Sequence, residues 1–255
     1  MREGDDRPVQ GTQALARSFD ILRIVAQLQR VGATLAAITR ASGLSRTTAF
    51  RIVHFLTEER LLEYDAGAGH YFIGPFAFEL GLAAKGPTDL IARWQPRLEE
   101  LSRRTGMTAY LMARSDAEAV CVAKVEGRSI LRAVPLQLGQ RLPLGVGAGS
   151  LALLSALDDD AVHSAIAVNR TKLNFLGDGH LTPDVLWQRV KSARSRGYAI
   201  SENTVAKGVI GLGRVITDSD SLLQWAISVS APSSELKQDQ YDAIAKLVQE
   251  IARTA

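Results

Sequence analysis

Residues 42–56, SGLSRTTAFRIVHFL, decide the reading of this 255-residue chain. Ser42 and Gly43 break one helical pattern, and Gly43 stands where a tight turn needs a positive φ. Ser45 has the side chain of an N-cap for the helix that follows. In that helix Ala49, Ile52, Val53 and Leu56 recur at i, i+3, i+4 and i+7, so they must face inward. The opposite face carries Arg46, Thr47, Phe50, Arg51 and His54, a mixture of donors and apolar edges with no acid to repel phosphate. Such a face suits a DNA major groove.

The flanking segments complete a unit. Upstream, Leu35, Ile38 and Ala41 supply the buried side of a short helix that Thr34 can cap. Before it, Leu15, Phe19, Leu22, Val25 and Ala26 are spaced as one apolar stripe along a first helix. Two helices joined by a glycine turn, the second polar near its N-terminus, make a helix-turn-helix, with Arg46, Thr47, Thr48 and Arg51 at or near base edges and phosphates. Downstream, EYDAGAGHYFIG (63–74) reads as a hairpin around a glycine-rich loop. This is the wing, and His70 is expected at its tip, within reach of backbone phosphate or the minor groove.

Charge supports the same reading. The net charge of +3 is too small to say anything about nucleic acid. Between Arg7 and Thr57, however, stand seven arginines (7, 17, 23, 30, 40, 46 and 51) and one acid, Asp20. That is the footprint phosphate binding requires. The competing reading is a small helical bundle that merely happens to be arginine-rich. An acid-free third helix with a hairpin appended in this order argues against it.

Composition excludes several classes. An apolar share of 46% supports hydrophobic cores, and no apolar run approaches the roughly 20 residues of a membrane span. The chain is therefore expected to be soluble and cytoplasmic, with no membrane partner. One cysteine, Cys121, permits no internal disulfide and no cysteine cluster, and the four histidines are not spaced as a metal pair. Neither a metal nor a cofactor is expected.

The remaining segments read as follows. Phe76, Phe78, Leu80, Leu82 and Ala83 lie on a segment punctuated by Lys85-Gly86-Pro87, where an interdomain helix is placed. Leu90, Trp94, Leu98 and Leu101 form a helical stripe, and TAYLMAR (108–114), EAVCVAKVEG (118–127) and SILRAVP (129–135) read as strands. The segment GVGAGS (145–150) lacks a complete nucleotide fingerprint. It reads instead as a glycine-rich lead into a helix over 151–157, whose free N–H groups and positive dipole end can hold a carboxylate. Ser228 and Ser230 alternate along a predicted strand, so both hydroxyls point to one face.

Taken together, LARSFDILRIVA, SGLSRTTAFRIVHFL, LLEYDAGAGHYFIGPFAFELG, LGQRLPLGVGAGSLALLSAL, RGYAISENTVAKGVIGLG and AISVSAP resemble the IclR family of transcription regulators, in order, from about Gln13 to Leu236. The resemblance implies an α+β chain: an N-terminal winged helix-turn-helix, a linker helix and a C-terminal GAF-like α/β effector-binding domain. The expected boundaries are a disordered N-terminus at 1–9, the DNA-binding domain at 10–75, the linker at 76–89 and the effector domain at 90–255. It also implies a homodimer or dimer of dimers on a double-stranded DNA operator. Carried over by position, Thr34, Ser45, Arg46, Thr47, Thr48, Phe50, Arg51, His54 and His70 are the expected DNA contacts. Gly147, Ala148, Gly149, Ser201, Val209, Gly211, Ser228 and Ser230 are the expected effector contacts, with the Ala148 and Gly149 backbone donating to an acid group. Where the family often has Asp, Cys and His, this chain has Ser201, Gly211 and Gly145. A roomier, less polar pocket is therefore expected, suited to an aromatic or otherwise bulky carboxylate.

Two rival functions fit the sequence less well. An enzyme would need a nucleophile with a base in reach, yet His163 and His180 lie in a polar segment and Cys121 sits inside an apolar strand pattern. A DNA-architectural protein without an effector would leave the long C-terminal half without a purpose. No enzymatic activity is expected.

Overall fold

The computed structural model describes residues 12–28, 31–83, 87–128, 136–174, 176, 180–216 and 224–253. The expected disordered N-terminus at 1–9 and the expected strand at 129–135 lie outside the described residues. The chain divides into two units, Met1–Lys85 and Gly86–Ala255.

In the first unit, α1 (Gln13–Gln27), α2 (Leu35–Ser42) and α3 (Arg46–Glu58) pack on one another, followed by the hairpin β1 (Leu62–Asp65) and β2 (His70–Ile73). Ile21, Val25, Ile38, Val53, Leu56 and Leu62 form the core. The α1 stripe is rotated from the expected one: Ile21 and Val25 are fully buried, while Leu15 and Phe19 are 61% and 58% exposed. This helix is apolar around much of its circumference, so periodicity alone does not fix which side faces the core. Gly43 ends α2 with φ 67°, as the turn requires. Ala33 exchanges two backbone hydrogen bonds with Tyr71 (2.9 and 2.8 Å), which ties the α1–α2 connection to the hairpin. The last element of the unit, α4 (Pro75–Ala83), buries none of its residues. Its start is anchored to the end of α3 by Phe76 N–H on the Arg60 carbonyl and by an Arg60–Glu79 ion pair of 2.9 Å. Pro87, read as punctuation, opens the next helix, because proline is tolerated in a first turn where its missing N–H has no acceptor to lose. Residues 87–89, assigned to the linker from the sequence, thus belong to a helix of the second unit.

The second unit is one antiparallel six-stranded sheet with helices on both faces. Its strands are β3 (Thr108–Ser115), β4 (Glu118–Val125), β5 (Arg141–Pro143), β6 (Ala199–Glu202), β7 (Val209–Ile216) and β8 (Trp225–Pro232). They lie in the order β5-β4-β3-β8-β7-β6. Helices α5 (Pro87–Thr105) and α9 (Tyr241–Arg253) cover one face, where Leu90, Trp94, Leu98 and Leu101 meet Leu111, Ile227 and Val229. Helices α6 (Ala148–Ser155), α7 (Asp159–Leu173) and α8 (Pro183–Arg196) cover the other, over Tyr110, Met112, Cys121 and Ala226. Glu118 receives Arg141 and Lys172, each at 2.6 Å, which pins β4, β5 and α7 together. Burial would raise its pKa, but these two donors outweigh it and hold the carboxyl below its ordinary range.

Helix α6 lies unusually close to the sheet because β7 has glycines on that face. A Cβ on Gly213 would stand 2.7 Å from the Ala148 carbonyl carbon and oxygen. Gly213→Ala must push helix and strand apart and is expected to cost about 1–3 kcal/mol of stability, read as a lower midpoint in urea unfolding at unchanged slope.

Candidate DNA-reading helix and ligand cavity

Helix α3 is set by its cap. Ser45 accepts the Thr48 N–H at 3.2 Å, and the two hydroxyls are 2.9 Å apart. Thr34 caps α2 in the same way, accepting Ala37 N–H at 3.1 Å. In both caps the oxygen accepts within the protein, so the roles of Thr34, Ser45 and Thr48 are first structural; Thr34 keeps its hydroxyl proton for an outside group, and the Ser45–Thr48 pair keeps one of its two. Arg46, Thr47, Phe50 and Arg51 project from the other side and are exposed. Among the described residues no carboxylate pairs with Arg46 or Arg51. His54 differs. Its Nδ1 lies 3.4 Å from Glu58, so the acid-free face ends one turn before the helix does. His70 also departs from expectation: the turn is formed by residues 66–69, and His70 opens the return strand with Nδ1 2.6 Å from the Ala68 carbonyl. The tip is shaped instead by Asp65, which accepts the Gly67 and Ala68 amides.

In the second unit, sheet register builds the cavity. Thr108, Ser230, Gly211 and Ser201 stand in one cross-strand row, and Tyr110, Ser228, Gly213 and Ala199 in the next along the same face. Above them the first turn of α6 ends the helix at Gly147, which has φ 83° and no side-chain cap. The first intrahelical bond runs from Leu151 N–H to Gly147, so the Ala148 and Gly149 amides have no carbonyl of their own helix to donate to. The resulting cavity holds about 500 Å³ of space including its mouth. All eight residues expected from the sequence line it: Gly147, Ala148, Gly149, Ser201, Val209, Gly211, Ser228 and Ser230. The rest of the wall is chiefly apolar, with Met112, Leu136, Leu142, Val146 and Val205, and among the described residues none of its lining side chains is charged.

Two residues that shape the cavity region escaped sequence reasoning. Tyr110 lines the cavity close to Ser230 and Thr108, and burial raises its pKa above the ordinary tyrosine value. Its position opposite Ser228 is the signal that strand pairing would have revealed. Thr204, 1% exposed, accepts the Gly147 N–H at 2.9 Å and bonds the Ser201 hydroxyl. It thereby caps α6 from a different strand turn. The glycines at 211 and 145 do not enlarge the cavity as expected. A Cβ on Gly211 would meet Ala148 Cβ at 3.2 Å, and one on Gly145 would meet Leu186 at 2.8 Å, so neighbours already fill both spaces.

Among the described residues no group of His, Cys, Asp and Glu is placed to hold a metal ion, and no helix is long and apolar enough to cross a membrane. His163 is exposed and stacks on Trp187 with ring centroids 4.6 Å apart.

A winged helix-turn-helix followed by a sheet domain that holds a lined cavity defines a DNA-binding transcription regulator. The IclR helix-turn-helix domain matches residues 14–66, and the bacterial transcriptional regulator IclR C-terminal domain matches residues 83–255. The chain belongs to the IclR family of transcription regulators. It is 28% identical to the HTH-type transcriptional repressor AllR of Escherichia coli K12, over 99% of this chain and 93% of that protein. It is 26% identical to the HTH-type transcriptional regulator KipR of Bacillus subtilis, over 94% of each. Among solved structures it resembles an IclR homolog from Microbacterium hydrocarbonoxydans complexed with 4-hydroxybenzoate, with a TM-score of 0.75 and 20% identity over 94% and 96% of the two chains. It also resembles a putative IclR regulator from Silicibacter, with a TM-score of 0.77 and 22% identity over 94% and 93%. The chain is thus a regulator and not an enzyme.

Burial pushes the Cys121 thiol up to about 12, which leaves almost no thiolate at neutral pH. A native sample at pH 8 is expected to resist an aromatic disulfide reagent and to react fully once unfolded; fast native labelling would show Cys121 to be accessible.

Proposed function

We propose that this regulator binds a pseudo-palindromic operator as a homodimer, and that an aromatic or similarly bulky monocarboxylate in the cavity sets how tightly it does so. The observation that carries the effector half is the unfilled donor set of α6. The amides of Ala148 and Gly149 and the hydroxyl of Ser228 converge on a cavity with, among the described residues, no charged lining side chain. A carboxylate there takes charge stabilisation from the helix dipole and hydrogen bonds from neutral groups. One negative charge can be satisfied in this way, and the apolar walls suit a ring better than a second charge. The 4-hydroxybenzoate in the Microbacterium homolog supports the same ligand class.

For DNA, Arg46, Thr47 and Arg51 on the exposed side of α3 are assigned to base edges and phosphates, and Thr34 and the Ser45–Thr48 hydroxyl pair, which shares one internal hydrogen bond and keeps one proton to donate, to phosphates. Phe50 is assigned to an apolar base contact, and His54 and His70 to the margin of the site. Pairing of two copies is supported by the exposed apolar residues of the first unit, Leu15 and Phe19 on α1 and Phe78, Leu80 and Leu82 on α4. We place the protein in the cytoplasm, beside its DNA. Regulation follows from linkage: the ligand changes operator affinity only by the difference in its own affinity for the DNA-bound and free states.

Arg51→Ala is expected to weaken operator binding by about 1–3 kcal/mol if it makes a bidentate base contact. A mobility-shift titration of the promoter region at fixed salt measures this, and an unchanged midpoint removes Arg51 from the interface. Calorimetry with glyoxylate, pyruvate and a panel of aromatic acids tests the effector class. Aromatic monocarboxylates are expected to bind more tightly, by at least tenfold (roughly 1.4 kcal/mol), and a preference for the two smallest acids would defeat the proposal.

A further inference from the structure

Two buried hydroxyls stand where the ligand cavity meets the start of α6. Ser201 lines the cavity from β6 and is 4% exposed, whereas Thr204, just beyond the strand, is 1% exposed and lies outside the lining. The connection that carries Thr204 is closed on itself. Asn203 takes the left-handed conformation with φ 57°, its side-chain oxygen accepts the Gly208 N–H at 2.7 Å, and its own N–H donates to the Val209 carbonyl at 2.9 Å. Thr204 is thereby held over the first turn of α6, where it accepts the Gly147 N–H at 2.9 Å and shares one hydrogen bond with Ser201.

Counting protons decides which of the two hydroxyls donates. Each has one proton to give. If Ser201 donated, the Thr204 proton would need another acceptor. Among the described residues, however, Thr204 meets only Ser201 and the Gly147 N–H, itself a donor. A buried hydroxyl proton without an acceptor forfeits its hydration with no return. If Thr204 donates, all of its hydrogen-bonding capacity except one lone pair is used, and the proton left over belongs to Ser201 at the cavity wall. That arrangement strands no donor.

The donors then run one way, from Gly147 N–H to Thr204, from Thr204 to Ser201, and from Ser201 into the cavity. Hydrogen bonds aligned head to tail polarise one another, which makes Ser201 a stronger donor than a serine standing alone. A lone serine can also rotate to accept. Ser201, with its oxygen already turned to Thr204, can only give.

We propose that Thr204 is a positioning residue for the effector: it does not touch the ligand, but it fixes Ser201 as a hydrogen-bond donor into the cavity. The ligand atom seated at Ser201 must then accept, as a carboxylate oxygen does and an amide or amine N–H does not. Ser201 joins the Ala148 and Gly149 amides and Ser228 as a fourth donor, and an ionised carboxylate offers about four lone-pair sites to receive them. The ligand class rests on the regulatory reading above, whereas the direction of the Thr204–Ser201 bond stands without any ligand.

Neutron diffraction from the deuterated, ligand-free full chain reads that direction. The deuteron between the two oxygens is expected on Thr204, and a deuteron on Ser201 pointing at Thr204 would overturn the proposal. Calorimetry with the aromatic monocarboxylate 4-hydroxybenzoate reads the consequence. T204V keeps the shape and loses the hydroxyl, and is expected to weaken binding about tenfold, whereas T204S keeps the relay and is expected to stay within about twofold of wild type. Made in an S201A background, T204V is expected to cost no more than about twofold, because Thr204 acts through Ser201. Unchanged binding in T204V alone, or the full loss repeated in the S201A background, would overturn the proposal, the second by showing that Thr204 only supports α6. A wild type that binds none of the aromatic acids would defeat the effector reading alone, and the deuteron position would still decide the relay.

Discussion

The sensing unit depends on one close approach, the first turn of α6 lying against the glycines of β7. Gly213 leaves no room for even a methyl group before the Ala148 carbonyl, and Gly211 is in contact with Ala148 Cβ. That approach brings two unsatisfied amides down to the sheet, where Ser228 stands beside Gly149. Thr204 then holds the turn in place by accepting the Gly147 amide. Helix N-termini are common, but here the donors open into a pocket with chiefly apolar walls, where a hydrogen bond to an anion is worth more than in water.

The DNA-binding unit follows a different rule, because its chemistry lies on the outside. The caps of α2 and α3 consume the oxygens of Thr34 and Ser45 and fix the direction of α3. Arg46 and Arg51 then stand exposed on a helix whose direction the caps set. The Glu58 carboxylate next to His54 limits the acid-free face to the first three turns.

What the sequence made legible divides along the same line. Caps, turns and the third helix were readable because a few adjacent residues determine them: Ser45, Gly43 and the Ala49–Val53–Leu56 spacing all behave as local chemistry dictates. The phase of α1 was not, since Leu15 and Phe19 are as apolar as the residues that face the core. The cavity wall was found through family resemblance at eight positions, while Tyr110 and Thr204 were missed. Both act across strands, and cross-strand register is a property of the assembled sheet. The glycines at 211 and 145 were misread for a related reason. A missing side chain makes space only if nothing else moves in, and here Ala148 and Leu186 have done so.

The central claim is that the amide end of α6 receives the effector's carboxylate. It can be tested directly by following the backbone amides of the full chain, labelled with ¹⁵N at alanine and glycine, while an aromatic monocarboxylate such as 4-hydroxybenzoate is added. The account predicts that Ala148 and Gly149 move to the low-field positions of charge-assisted hydrogen bonds, ahead of every other assigned amide. Saturable binding that leaves those two resonances in place would contradict it.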